Sequence, residues 1–153
     1  MSEKQPLRPF TTFNFKVNLR LSDDVPVCSA AFAECNGLEM SITPKTIREG
    51  GNNGQQIHLS GPVSYGQLSL KRGMTKDFGL WKWFEKVQQE RGLRASGEVI
   101  MLSSNQAQRN EEVKIKITGC LPMKIKAPGL NAKSGQIAIE EMQIAYETLF
   151  LEV

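Results

Sequence analysis

The chain contains few of the residue types that acid–base or metal chemistry requires. Its 153 residues include one histidine, His58, and three cysteines, Cys28, Cys35 and Cys120. His58 stands between two apolar residues on an expected strand, and no nearby pattern supplies a nucleophile or an orienting carboxylate. No two cysteines form a Cys-x-x-Cys pair, so three buried thiols are favoured over a metal or redox site.

Two charged motifs could suggest other chemistry. Glu140 and Glu141 are adjacent, and on a strand they would point to opposite faces, so they cannot act as an acid–base pair. Lys71-Arg72-Gly73 lacks the glycines before the lysine, and the serine or threonine after it, that a phosphate-binding loop requires. We therefore predict no catalytic residues, no metal site, no cofactor and no enzymatic activity.

Four lysines recur at every second position in two stretches, at Lys114, Lys116, Lys124 and Lys126. They indicate either the solvated face of a half-buried sheet or a basic surface that meets an acidic one on a neighbouring subunit. No aromatic residues are interleaved with them, and the net charge is only +3. Both observations argue against a specific nucleic-acid partner.

Most of the chain is predicted to form strands, because apolar and polar residues alternate with a period of two in several segments and a continuous apolar run covers residues 99–102. The predicted extended segments are 13–21, 26–32, 38–42, 57–59, 68–70, 99–102, 113–117 and 123–125. The segment from 137 to 150 fits a strand with a bulge near Glu140-Glu141, or alternatively a helix. The fold class is therefore mainly β with one α-helix, arranged as a small β-barrel or two-sheet sandwich.

The single helix is predicted over residues 75–91, where apolar residues recur at helical spacing. Its expected boundaries are a capping side chain and a terminating glycine, namely Thr75 or Asp77 at the start and Gly92 at the end. Both tryptophans, Trp81 and Trp83, fall in this segment and are expected to anchor the helix to the sheet.

A glycine-rich segment interrupts the strand pattern. Residues 48–54 read Arg-Glu-Gly-Gly-Asn-Asn-Gly, which cannot form a regular element because glycine is entropically costly there and provides no packing. We predict an extended loop or hairpin tip. A loop of this kind is either disordered or ordered by a partner, and composition alone favours neither.

The chain is predicted to contain one domain over residues 11–153, preceded by a flexible arm over residues 1–10. No apolar run resembles a signal peptide, and none approaches the roughly 18 residues that a membrane span needs. We therefore expect a cytoplasmic protein without a membrane anchor.

The order of the short motifs is more informative than any one of them. An Arg48-Glu49-Gly50 loop precedes a Leu70-Lys71-Arg72-Gly73 strand end, and a Leu80-Trp81-Lys82-Trp83 helix follows. Over about residues 10–151 this series resembles the phage tail-tube protein family, which is shared by contractile tails and bacterial contractile injection systems.

The resemblance implies a tail-tube type of β fold without catalytic residues. Six copies would form a ring, and rings would stack into a hollow tube that sheath contraction drives through a target envelope. Implied partners are sheath, baseplate and spike proteins, together with cargo in the lumen. Assembly would be cytoplasmic, in a phage-like particle that is exposed or released on firing. The subunit would belong to the shaft or to the initiator ring at the baseplate. The alternative is a secreted, ring-forming carrier or chaperone of effectors, as in type VI secretion.

The resemblance also implies where subunits would touch. The loop over Ile42–Gly61 would reach the adjacent ring, and the helix would lie towards the outside of the tube. The candidate contact residues are Arg48, Glu49, Gly50, Gly51, Asn52, Asn53, Lys71 and Arg72.

Overall fold

The computed structural model describes residues 15–22, 25–48, 50, 54–102 and 111–152. Within them lie twelve strands and one helix, which confirms the predicted mainly-β class. The elements are β1 (Phe15–Leu21), β2 (Pro26–Ala30), β3 (Glu34–Asn36), β4 (Met40–Ile42), β5 (Lys45–Arg48), β6 (Gln56–Leu59), β7 (Val63–Tyr65), β8 (Gln67–Gly73), α1 (Gly79–Gln89), β9 (Ala95–Leu102), β10 (Glu111–Lys126), β11 (Ile139–Ala145) and β12 (Thr148–Glu152). The predicted flexible arm, residues 1–10, and the polar segment 103–110 lie outside the described residues.

The long strand β10 joins two antiparallel sheets. Its first part pairs with β9 and β12, and β9 continues through β1 to β2 to complete the first sheet. Its last part, Leu121–Lys126, pairs with β11, which continues through β8 to β3 to complete the second sheet. The prediction of two separate strands here is wrong, because Gly119, with a φ of 65°, lets one strand continue through an irregularity between the sheets.

The core lies between the two sheets and is closed by the helix. Alternate residues of the strands point inwards, as the period-two pattern predicts. The core includes large, fully buried apolar side chains from both sheets and from α1, among them Val17, Leu19, Leu68, Leu70, Leu80, Trp83, Ile117, Cys120, Met142 and Ile144.

The C-terminal segment forms strands β11 and β12, so the helical alternative is wrong. The bulge near Glu140 is also wrong, because β11 pairs with β8 in unbroken register from Ile139 opposite Gly73 to Ala145 opposite Gln67. The sequence suggested a bulge because its apolar residues shift from odd positions, at Ile137 and Ile139, to even ones, at Met142 and Ile144, and this shift has another cause. The inward position at the start of β11 is occupied by Glu140, which is 1% exposed, while the neighbouring Ile139 faces outwards.

The helix is shorter than the sequence predicts. It begins at Gly79, and its N-cap residue is Phe78, which makes no side-chain capping bond. Asp77 lies just before the helix, and its Oδ1 accepts a hydrogen bond from the Gly79 N–H at 3.0 Å. The Asp77 carbonyl instead accepts a bond from Arg72 Nη2 at 3.1 Å, which fixes this segment outside the helix.

The expected terminating glycine is likewise not a C-cap. The helix ends at Gln89, and Glu90 donates its backbone N–H to the Lys86 carbonyl at 2.9 Å. Gly92 lies beyond the helix, in a turn, and its φ is not positive. The end of this helix therefore does not depend on a left-handed glycine.

Candidate functional site

The candidate site is a hairpin arm that extends from the sandwich, which we define as residues 40–65. Two short antiparallel ladders build it, β4 with β7 near the sandwich and β5 with β6 further out. Within the described residues, neither ladder is hydrogen-bonded to the main sheets. Every residue of β4, β5 and β6 is exposed.

Each ladder of the arm has an apolar face and a polar face. In the outer ladder Ile47 lies opposite Ile57, whereas Thr46 lies opposite His58 on the other face. The same alternation occurs in the inner ladder, where serines separate the apolar pairs. Six apolar side chains of the arm are between 41% and 59% exposed, namely Met40, Ile42, Ile47, Ile57, Leu59 and Val63.

An amphipathic hairpin of this kind requires a partner surface. A two-stranded ribbon alone is marginally stable in water, because neither face is buried. Exposed apolar side chains grouped on one face of a ladder are typical of an interaction site. The described residues of the arm are therefore suited to binding another protein surface.

The base of the arm is fixed by a tyrosine from the C-terminal part of the chain. The Tyr146 hydroxyl donates to the Gly37 carbonyl at 2.7 Å and accepts from the Glu39 N–H at 3.0 Å. The Tyr146 ring packs against Tyr65 at 5.8 Å between centroids. Gly37 has a φ of 96°, and a Cβ there would lie 1.7 Å from the Gln67 carbonyl oxygen, so glycine is required. The chain therefore leaves the sandwich in a defined direction.

The outer ladder leads in sequence to the predicted glycine-rich tip, residues 48–54, of which Arg48, Gly50 and Gly54 are described. Arg48 pairs with Gln56 in the last rung of the ladder and stands on the polar face, beside His58 across the strands. Arg48 and Gly50 are both exposed. Four further candidate residues fall outside the described residues: Glu49, Gly51, Asn52 and Asn53.

The structure separates the other two contact candidates from the arm and from each other. Lys71 lies on the outer face of β8, and its Nζ is 3.5 Å from Glu34 Oε2. Arg72 faces the core and is 5% exposed. Because its guanidinium is buried and occupied within the chain, Arg72 is not available as a contact between subunits, which corrects that expectation.

Arg72 belongs to a buried polar cluster that the sequence analysis missed. Arg72 Nε donates to Glu140 Oε1 at 2.6 Å, and Trp81 Nε1 donates to Glu140 Oε2 at 2.7 Å. The guanidinium also stands 5.3 Å from the centre of the Phe32 ring, within the range of a cation–π contact. Both carboxylate oxygens are thus satisfied, as a buried charge requires. Trp81 anchors the helix through this bond, whereas Trp83 is buried in the core.

The cysteines are unsuited to nucleophilic chemistry. Burial raises the pKa of Cys28 and Cys35 to about 11 and that of Cys120 to about 12. The thiols are therefore protonated at neutral pH, and the thiolate is the reactive form. No cluster of three or more potential metal-ligating side chains occurs in the described part of the chain. Nor does any helix there have the length and apolar character to cross a bilayer.

The alternating lysines occupy the outer faces of both sheets. Lys116 lies on the first sheet, 3.3 Å from Glu152 Oε2. Lys124 and Lys126 lie on the second sheet, where they line a small cavity with Glu141 and Gln143. The four lysines therefore lie on two separate surfaces, each with acidic neighbours on the same chain.

The family comparison covers most of the chain. Residues 11–149 match the model of the T4-like virus tail tube protein gp19 family. This match confirms the resemblance noted in the sequence. No curated protein matches at a significant level.

Solved structures share the fold over nearly the whole chain. A chain of the anti-feeding prophage (AFP) baseplate is 23% identical, with a TM-score of 0.81 over 96% of this chain and 97% of that one. A chain of the sheath–tube complex of the extracellular contractile injection system PVC is 18% identical, with a TM-score of 0.77 over 94% and 91%. A type six secretion system protein is 13% identical, with a TM-score of 0.52 over 90% and 82%.

Proposed function

This chain belongs to the T4-like virus tail tube protein family, and on that premise we propose that it is a structural subunit of the inner tube of a contractile injection system or phage tail. Six copies form a ring, and rings stack into a hollow tube that sheath contraction drives through a target envelope. The subunit acts in assembly and catalyses no reaction. Residues 11–153 act as one tail-tube domain.

The observation that carries this proposal is the exposed amphipathic arm. The described residues of the same chain leave its apolar side chains exposed. In a ring or stack of identical subunits, a neighbouring copy buries them, and the same contact repeats at every subunit. The segment Ile42–Gly61 reaches the adjacent ring and buries its apolar face there. Tip residues make the polar contacts, with Arg48 and Glu49 as the principal pair.

The subunit serves in the shaft or in the initiator ring at the baseplate. Its partners are its own copies, the sheath, the baseplate and the spike, and the lumen conducts cargo. Assembly takes place in the cytoplasm, and the finished particle exposes or releases the tube on firing. The similarity to chains from a baseplate and from a sheath–tube complex supports this proposal through the fold.

Electron microscopy and native mass spectrometry of the purified protein test the proposal. Negative-stain images should show rings and stacks of rings, and native spectra should contain a hexamer of the 17.1 kDa chain. Isolated rings that hold a bound protein and never stack would favour a secreted carrier of effectors. A strict monomer at high protein concentration would contradict both functions.

A further inference from the structure

The outer face of the second sheet carries a row of alternating charges. Four residues on four neighbouring strands stand directly opposite one another in register, and their order across the sheet is Lys126, Glu141, Lys71 and Glu34. Directly opposed residues on one face of an antiparallel sheet approach to about 4.5–5.5 Å between Cβ atoms. Each charge of the row therefore has an opposite charge beside it.

Both ends of this row lie on strands with an unpaired edge. β3 pairs with β8 on one side, and no described strand pairs with its other side. The segment Leu121–Lys126 of β10 pairs only with β11 among the described strands, since the pairings of β10 with β9 and β12 end at Cys120 and Thr118. Unpaired edges present backbone donors and acceptors that can accept a further strand.

The two edges are complementary in charge and in strand direction. The β10 edge presents Lys124 and Lys126, and the β3 edge presents Glu34; all three residues are exposed. Because the sheet holds four strands in antiparallel order, β10 and β3 run in opposite directions. The β3 edge of one copy therefore meets the β10 edge of the next copy in antiparallel orientation, and the alternation of charge continues across the joint.

Pairing of like edges does not have this complementarity. Two β10 edges would bring lysines against lysines, and like charges across an interface disfavour that arrangement. A contact between different edges is heterologous, which is the kind that closes rings. Closing a sheet also staggers its strands, and a stagger of two residues would bring Lys124, in place of Lys126, opposite Glu34.

We propose that Glu34 of one copy pairs with Lys124 or Lys126 of the next copy, and that this charge pair directs subunits head to tail around the ring. The inference rests on the proposed function, because it requires a ring of identical copies. It places the contact between neighbouring subunits of one ring, which we call the joint, on the second sheet, at a site distinct from the arm.

Charge reversal tests this joint. Glu34→Lys should raise the concentration at which half of the protein is in rings by about tenfold or more at low salt, since it faces the next copy's lysines with a third cation. Lys124→Glu with Lys126→Glu should weaken rings similarly. Combining all three substitutions should restore part of the ring formation, because the reversed charges attract again across the joint while residues 34 and 126 face the like charges of Lys71 and Glu141 in their own chain. The effect should shrink near 1 M salt, where the Debye length is about 3 Å.

Controls separate the joint from general effects of charge and folding. Glu85→Lys and Lys82→Glu alter exposed charges on α1 and should leave ring formation unchanged. Native mass spectrometry counts subunits, and circular dichroism checks the monomer fold. If Glu34→Lys does not fold, the lysine reversals decide the outcome without it.

Two results would overturn the proposal, and they are distinguishable. If the wild-type chain forms rings and every reversal variant forms them equally well, the joint is refuted and the tube function stands. A wild-type chain that remains monomeric would refute both. Restoration of rings by the combined reversal would support the joint, because a purely structural role of Glu34 beside Lys71 predicts no rescue by residues 124 and 126.

Discussion

Arg72 and Glu140 lie directly opposite each other on β8 and β11, and their side chains form a buried ion pair with 2.6 Å between Arg72 Nε and Glu140 Oε1. Their side chains are 7% and 1% exposed. Burying two charges is costly, so such a pair adds little net stability compared with an apolar pair. Removing one partner, however, leaves an uncompensated charge in the interior.

We expect Glu140→Gln to lower the free energy of unfolding by about 3–5 kcal/mol, because it leaves the Arg72 guanidinium without its buried counter-charge. Glu141→Gln on the outer face of the same strand is the matched control and should cost less than about 1 kcal/mol. Urea unfolding followed by circular dichroism measures both. Equal losses in the two variants would contradict a special role for the buried pair.

Trp81 should be energetically coupled to Glu140, because its indole N–H donates to Glu140 Oε2 at 2.7 Å. Trp81→Phe keeps an aromatic ring and removes the donor, which should cost about 1.5–3 kcal/mol for a bond to a charged group. A double-mutant cycle with Glu140→Gln isolates the bond from the loss of ring volume. A coupling energy within about 0.3–0.5 kcal/mol of zero would mean that the two residues act independently.

This cluster marks the limit of what local patterns predict. Alternation correctly located β1 and the Leu68–Leu70 part of β8, where the inward positions are apolar, and a continuous apolar run located the end of β9. It misread the start of β11, since a glutamate at an inward position looks like a surface residue until its partners are known. Those partners, Arg72 and Trp81, are distant in sequence, and no local period connects them to Glu140.

The arm was predicted only in part for a similar reason. Its glycine-rich turn was evident from composition, but β5 contains a single apolar residue in Lys45–Arg48 and shows no convincing alternation. Its strand character follows from pairing with β6. The helix start was misplaced because Arg72 binds the Asp77 carbonyl, a contact that depends on the tertiary fold.

Tyr146→Phe should loosen the base of the arm without unfolding the sandwich. The substitution leaves the Gly37 carbonyl and the Glu39 N–H without the hydroxyl that joins them, a loss of about 0.5–1.5 kcal/mol for partly buried hydrogen bonds. Hydrogen exchange should therefore accelerate in residues 40–65 and remain slow in β1 and β9. Tyr65→Phe, in the partner ring, is the control. Unchanged exchange in the arm would show that Tyr146 does not fix it.

The buried thiols should make the fold less stable at alkaline pH. The folded pKa of Cys120 is about 12, above the ordinary value of 9.0, so the unfolded chain releases its proton first as the pH rises. The stability that the buried, protonated Cys120 thiol contributes is fully present below about pH 9 and is lost as the pH rises towards 12. Cys120→Ala should therefore flatten the decline in unfolding free energy above pH 9. An identical slope in both proteins would contradict this assignment.

Deletion of residues 50–54 should abolish stacking of rings and leave the monomer folded. The deletion removes residues that lie between Arg48 and Gln56 in sequence, the last paired residues of the outer ladder, and it touches no core residue. Electron microscopy should then show single rings only, with an unchanged far-ultraviolet circular dichroism spectrum. Stacks of normal length would show that the interface between rings lies elsewhere.

Ile57→Lys should weaken stacking through the apolar face of the arm, because on the proposed function it places a charge where a neighbouring subunit would cover the side chain. His58→Lys changes the adjacent residue on the polar face and serves as the matched control. Both side chains are exposed in the monomer, so each variant should keep its unfolding free energy within about 0.5 kcal/mol. Tube length in negative-stain images should fall in the first variant and persist in the second. Equal loss in both would assign stacking to the whole hairpin and not to its apolar face.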